Sequence, residues 1–172
     1  FLDRHFSTGA DLTVSVIPCR PDEAPEFGLL KADEQGKIVE FKEKPKGDDL
    51  ESMRVDTTNF GLTADESAGR PFLASMGIYV FNAPFLFDQL CQDATLPDSA
   101  HDFGRNIIPS IINTHKVMAF PFHDENSKQD AYWKDVGTLD AYYQANIELT
   151  AVDPLLNLYD YHWPVRTDQP NL

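Results

Sequence analysis

The chain has 172 residues, one domain's worth, and its 42% apolar and 24% charged residues make a globular composition with material for a real core. Fourteen Lys and Arg against 28 Asp and Glu leave a formal net charge of −14. That argues against nonspecific binding to nucleic acid or anionic membrane, because the long-range field repels polyanions. Small anions stay admissible, since a basic cluster governs the potential within one Debye length of about 8 Å. The longest near-apolar run, residues 72–81, is too short for a membrane helix and is interrupted by Ser75 and Gly77. No signal peptide is read, and Cys19 and Cys91 fit neither a zinc site nor a disulfide framework. They read as two core thiols of a cytoplasmic protein.

The opening Phe1-Leu2-Asp3-Arg4-His5-Phe6 reads as the middle of an amphipathic helix, as in an excised segment, with Gly9 as its stop. Leu12 to Ile17 is a β-branched strand expected to close at Pro18. Phe27–Ala32 and Lys37–Lys44 follow as strands, joined by the hairpin loop Asp33-Glu34-Gln35-Gly36. Residues 46–71 form a polar excursion with one short helix near Leu50 to Met53. Phe72–Phe81 is apolar on both faces, the pattern of a central strand, and Asn82-Ala83-Pro84 opens a helix after it.

Ser99-Ala100-His101-Asp102 matches a capping box before a helix that Pro109 breaks or kinks. Val117–Phe122 and Tyr132–Val136 are read as strands. Thr138 caps a last helix whose Leu139, Tyr142, Tyr143 and Ile147 share one face. Beyond Val152 the pattern dissolves into Pro154, Pro164 and Pro170 with scattered aromatics, an irregular linker. Strands and helices mixed in this order indicate an α/β domain.

Lys31, Lys37, Lys42, Lys44 and Lys46 place five of the 14 basic residues in a short stretch of an acidic chain. On a strand Lys42, Lys44 and Lys46 would alternate onto one side. Pro45 then forces the chain out of the sheet. Open α/β sheets bind ligands at such strand ends: a lysine suits a phosphate as a point charge, and Glu43 suits sugar hydroxyls as an acceptor. The alternative is a solvated strand end with surface ion pairs worth almost nothing. Ser75 and Gly77 on one face of the central strand leave a hollow that fits a sugar, unless Gly77 admits a helix and Ser75 bonds to backbone. Asp135, at a strand end before Gly137, suits Mg²⁺ or else receives the amides of the following helix. Asp102-Phe103-Gly104 spells the kinase magnesium tripeptide but sits at a helix start with no catalytic loop or glycine-rich loop before it. His5, His101, His115, His123 and His162 lack metal-ligand spacing. Tyr159, Tyr161 and Trp163 suit sugar stacking or packing against another domain.

Several motifs in register resemble one family. Phe41-Lys42-Glu43-Lys44-Pro45 resembles the signature of the sugar-nucleotide pyrophosphorylases. Val55-Asp56-Thr57-Thr58, the run Ala74 to Phe81, His101-Asp102-Phe103-Gly104 with Ile108-Pro109, the run Tyr132 to Thr138, and Trp163-Pro164-Val165-Arg166-Thr167 resemble its ADP-glucose pyrophosphorylase branch. The resemblance implies part of a Rossmann-like nucleotidyltransferase, a mixed sheet flanked by helices. It implies transfer of AMP from ATP to glucose 1-phosphate with Mg²⁺, for glycogen synthesis, in a cytoplasmic, allosteric homotetramer. By residue, it implies that Lys44 holds the sugar phosphate, that Glu43 and the backbone at Gly28 bind the glucose ring, and that Ser75 binds a sugar hydroxyl. Asp135 would be one of two acids on the metal, with Trp133 packing beside it.

In this reading residues 1–152 are the C-terminal part of the catalytic domain, and 153–172 are a linker towards a β-helix domain absent from the sequence. The glycine-rich ATP loop and the second metal-binding aspartate would precede Phe1. The chain alone is therefore expected to be inactive and, with apolar sheet surface uncovered, to self-associate. Two alternatives stay open: a noncatalytic subunit that keeps the sugar-phosphate site, and a sister pyrophosphorylase for a UDP-, dTDP- or GDP-sugar.

Overall fold

The computed structural model describes residues 1–122 and 132–159. The chain divides into two compact units, residues 1–122 and 123–172. In the first unit Leu12–Cys19 (β1), Gly28–Ala32 (β2), Ile38–Glu43 (β3), Phe72–Phe81 (β4) and Val117–Pro121 (β5) form a mixed sheet in the order β3-β2-β4-β1-β5. The apolar run expected as a central strand is the middle one. β1 and β5 run parallel, and the other neighbours are antiparallel. The helices are Leu2–Thr8 (α1), Asp48–Ser52 (α2), Ala64–Gly69 (α3), Ala83–Ala94 (α4) and Ile108–Ile111 (α5), the last entered directly from a π-helical turn over Phe103–Ile107.

Alternation along the strands sends apolar side chains to both faces. Leu12, Val14, Val16, Leu30 and Leu73 pack on Ile107, Ile108 and Ile111 from the π-helical turn and α5. Leu29, Phe72 and Ala74 pack on Met53 and Ala24 on the other side. Fully burying such side chains stabilises by about 1.5–3 kcal/mol each.

The β2–β3 hairpin forms as expected. The Asp33 carboxylate accepts from the amides of Gln35 and Lys37, and Gly36 takes the left-handed φ of 83° that the turn needs. The hairpin tip also reaches β5, whose Ala119 amide donates to Gly36 O at 2.8 Å. The outer edge of β5 is therefore not bare. Beyond Leu29↔Ala74, β4 makes no further pairing with β2 among the described residues.

Several expectations are corrected. β1 runs through Pro18 to Cys19, because the β5 ladder ends at Val16↔Pro121 and the proline has no bond to lose on that side. The excursion after residue 46 carries, besides α2, the helix α3, whose Thr63–Glu66 capping box was legible in sequence and overlooked. The π-helical turn is capped by Asp102, which accepts from Arg105 N at 2.8 Å, and not by Ser99. Residues 132–136 enter no ladder among the described residues, so the strand expected there is not formed. Cys19 is buried, whereas Cys91, on the outer side of α4, is exposed and is no core thiol. In the second unit Thr138 caps Leu139–Glu148 (α6) as expected, accepting from Ala141 N. Residues 160–172, with Tyr161, Trp163 and most of the segment read as linker, lie outside the described residues.

One buried polar network ties α1 to the sheet. His5 is 1% exposed, and its Nδ1 meets the Thr13 hydroxyl at 2.8 Å. Asn82 gives its amide nitrogen to Ala10 O and so presents its oxygen to His5 Nε2 at 3.3 Å. Thr13→Val strips His5 Nδ1 of its partner in a site closed to water. It should lower the free energy of urea unfolding by about 1–3 kcal/mol, where a loss near zero would show that the network adds nothing.

Candidate functional site

β3 ends at Glu43, which pairs with Gly28 at the start of β2. Lys44 N extends the ladder by one bond, to Phe27 O at 3.0 Å. The backbone then turns sharply: Lys44 has φ 48°, a left-handed conformation that costs a non-glycine residue roughly 1 kcal/mol or more. The alternation expected for Lys42, Lys44 and Lys46 is broken at this point. Lys42 is tied to Asp49 at 2.6 Å and to Glu40 at 3.7 Å, and Lys31 to Glu40 at 2.9 Å. Lys44 is exposed and makes no ion pair among the described residues. Of this lysine cluster, Lys44 therefore keeps a cation at the strand end that carries Glu43.

The half-buried Glu43 carboxylate is wedged between two glycines. A Cβ on Gly28 would stand 2.6 Å from Glu43 Oε2 and 2.7 Å from the Phe41 ring. One on Gly104, in the π-helical turn, would stand 3.0 Å from Glu43 Cδ and overlap the same oxygen. Burial, and then the nearby Asp102 charge, push the Glu43 carboxyl above the usual glutamate range, against the pull of Lys44 and Arg105. Tyr79 belongs to the same neighbourhood. Burial drives its phenol up, the Ser75 hydrogen bond opposes this, and the charges of Glu43 and Asp102 add to it. The Ser75 and Tyr79 hydroxyls lie 3.4 Å apart, and Ser75 Oγ also accepts from Gly77 N at 3.3 Å.

Gly77 has φ 70° at the irregularity that interrupts the β1–β4 register, and nothing stands within 4 Å of where its Cβ would be. Gly77 is exposed and seats no helix, whereas Ser75 does bond to backbone, as the alternative read from sequence has it. The Phe103 ring packs at a tilt against those of Tyr79 and Phe81, both at 5.7 Å, and this seats Asp102 and Gly104 beside the strand ends. A cleft of about 360 Å³ runs between β3 and the π-helical turn, bounded by Glu43, Gly104, Arg105, Lys42 and Asp49. That is within the roughly 300–1,000 Å³ of small-molecule sites.

The structure thus brings Glu43, Lys44 and Gly28 together at one strand end, and links Ser75 to Glu43 through Tyr79. Gly28 acts there through its missing side chain. Sequence reasoning missed Tyr79, Asp102, Gly104 and Arg105. The signals existed: Tyr79 shares the face of Ser75, and Asp102-Phe103-Gly104 lies in a motif that carries the family resemblance, although no site role is read from it in sequence.

Asp135 and Trp133 lie in the second unit. Asp135 is exposed, and its Oδ1 accepts from Gly137 N at 3.0 Å. The cap of α6 is Thr138, so Asp135 does not serve the helix amides, the second alternative read from sequence. Trp133 is half-buried, and Lys134 pairs with Glu148. Among the described residues no three His, Cys, Asp or Glu side chains cluster as a metal site. A lone carboxylate such as Asp135 suits Mg²⁺, which takes one or two carboxylates beside phosphate oxygens. No helix among the described residues is long and apolar enough to cross a membrane.

The nucleotidyl transferase family model matches residues 1–152. A glucose-1-phosphate adenylyltransferase of Rhodopirellula baltica is 52% identical over 168 residues, covering 98% of this chain and 34% of that protein. One of Saccharophagus degradans is 47% identical over 171 residues, 98% of this chain and 36% of that protein. A glucose-1-phosphate adenylyltransferase 2 of Alkalilimnicola ehrlichii is 45% identical over 171 residues, 99% of this chain and 37% of that protein. The chain thus spans about a third of the length of these relatives. With the family model matching most of its length, the chain belongs to the nucleotidyl transferase family.

Proposed function

We propose that this chain is the sugar-phosphate-binding part of a glucose-1-phosphate adenylyltransferase, making ADP-glucose and pyrophosphate from ATP and glucose 1-phosphate. The observation that carries the reading is the ammonium of Lys44, without an ion pair among the described residues, next to the wedged carboxylate of Glu43. One cation and one fixed acceptor at adjacent positions are complementary to a hexose that bears a phosphate. The relatives named above bear the name of the same reaction.

In that reaction a phosphate oxygen of the sugar phosphate attacks the α-phosphorus of ATP, and the bond to the β-phosphate oxygen breaks as pyrophosphate leaves. Catalysis is then mostly positioning and charge compensation. Lys44 holds the sugar phosphate and offsets its charge. Glu43, with Asp102 nearby, accepts from ring hydroxyls, and Ser75 and Tyr79 bound the ring beside the open space at Gly77. Asp135 would supply one carboxylate to Mg²⁺, with Trp133 beside it as the resemblance implies. That ion would neutralise charge on the reacting phosphates. The proposal extends to a cytoplasmic, tetrameric enzyme of glycogen synthesis, as the resemblance implies.

Two substitutions separate the charge of Lys44 from its backbone. Lys44→Ala removes one charge-assisted phosphate contact, so calorimetric affinity for glucose 1-phosphate should fall about ten- to a hundredfold. Affinity for free glucose should change little, and equal losses for both ligands would remove Lys44 from the phosphate. Lys44→Gly should lose the same affinity yet unfold at higher urea than Lys44→Ala, by about 0.5–1 kcal/mol, since glycine accepts the left-handed backbone.

The raised carboxyl of Glu43 gives a pH dependence of definite sign. Only the ionised form offers two acceptor oxygens, so glucose 1-phosphate binding should weaken as pH falls through a value above the usual glutamate range. The sugar phosphate's own ionisation near pH ~6 contributes to both proteins in a comparison with Glu43→Gln. The difference between the two titrations should therefore isolate Glu43. Parallel pH profiles would show that Glu43 does not bind the sugar as a carboxylate.

A further inference from the structure

The connection from α4 to the π-helical turn is organised by one carboxylate that takes no part in the site described above. Asp93, in the last turn of α4, is 9% exposed. Its Oδ1 accepts from the Ser99 hydroxyl at 2.6 Å and its Oδ2 from His101 Nδ1 at 2.7 Å. Ser99 Oγ in turn accepts from His101 N at 3.0 Å, and Asp93 O accepts from Leu96 N. An anion at the C-terminal end of a helix opposes the helix dipole, so α4 alone gives no reason for an aspartate here. His101 has φ 56°, one of the two left-handed non-glycine residues, with Lys44, among the described residues. The next three residues are Asp102, Phe103 and Gly104, which meet Glu43, Tyr79 and Phe81.

We propose that Asp93, Ser99 and His101 form a staple of positioning residues: it holds His101 in its left-handed turn and so sets Asp102 and Gly104 against Glu43. Three hydrogen bonds from two loop residues converge on one near-buried carboxylate and its serine partner, which over-determines the backbone just ahead of the turn. The staple touches no ligand. It acts on the site through the placement of the Gly104 backbone, which leaves Glu43 its room, and of Asp102, whose charge acts on Glu43 and Tyr79. The effect on sugar-phosphate binding rests on the function proposed above, whereas the effect on the turn does not.

Hydrogen exchange and calorimetry on the 172-residue chain test both levels with a pair of variants at one position. His101→Gly accepts the left-handed backbone but cannot reach Asp93. His101→Asn also tolerates that backbone and brings an amide donor. In His101→Gly the Arg105 amide, held by Asp102, should exchange at least about tenfold faster while the β1 and β4 amides keep their protection. Affinity for glucose 1-phosphate should fall about tenfold, and His101→Asn should restore most of both. Ser99→Ala, a milder cut in the same network, should shift Arg105 exchange in the same direction. Unchanged Arg105 exchange in His101→Gly, an increase spread over the whole sheet, or equal impairment by Asn and Gly would each overturn the staple. A wild-type chain that binds no glucose 1-phosphate would overturn the functional reading, and the exchange comparison would still decide the staple.

Discussion

The Glu43 carboxylate occupies a slot in which a methyl group on either side would collide with it. One wall is Gly28 on the neighbouring strand, and the other is Gly104 in a turn far along the chain. This steric constraint ties β2, β3 and the π-helical turn together at the end of the sheet, where a ligand of an α/β fold is received. It also fixes the electrostatics, because a carboxylate confined there is partly removed from water and faces Asp102. The same confinement that pushes its carboxyl upward gives an acceptor with a set direction.

Charge works against the background of the whole molecule. A chain with a net charge of −14 repels anions at long range, so any phosphate it takes must be held by a cation not already neutralised. Lys31 and Lys42 are spent on Glu40 and Asp49, while Lys44 makes no ion pair among the described residues and stands in a backbone conformation that lysine disfavours. A conformational cost at such a residue is what a site, and not a solvated strand end, would retain. Arg105, which lines the cleft together with Glu43, adds a second positive charge near that carboxylate.

What the sequence disclosed follows from the range of the interactions involved. The hairpin from Gly28 to Glu43 and the central strand are set by local pattern and turn chemistry and formed as read, whereas the left-handed turn at Lys44 that ends β3 is not read in sequence. Gly104 and Asp102 stand in a motif that carries the resemblance, but their approach to Glu43 is tertiary and no spacing rule encodes it. The Ser99 capping box failed because Ser99 is drawn to Asp93, leaving Asp102 as the cap. The strand expected at Tyr132–Val136 is not formed, since these residues enter no ladder among the described residues. The resemblance to pyrophosphorylases singles out Glu43 and Lys44 as candidates but gives no reason why glycines must flank the former.

That constraint can be probed directly by adding the missing methyl group. Gly104→Ala places a Cβ against the Glu43 carboxylate without touching any charge, so a crystal structure and a glucose 1-phosphate titration of the variant read the central claim together. The account predicts a folded protein whose Glu43 carboxylate has swung out of the slot and whose affinity for glucose 1-phosphate has dropped about tenfold or more. A variant that binds the sugar phosphate as tightly as the parent, with Glu43 displaced, would contradict it.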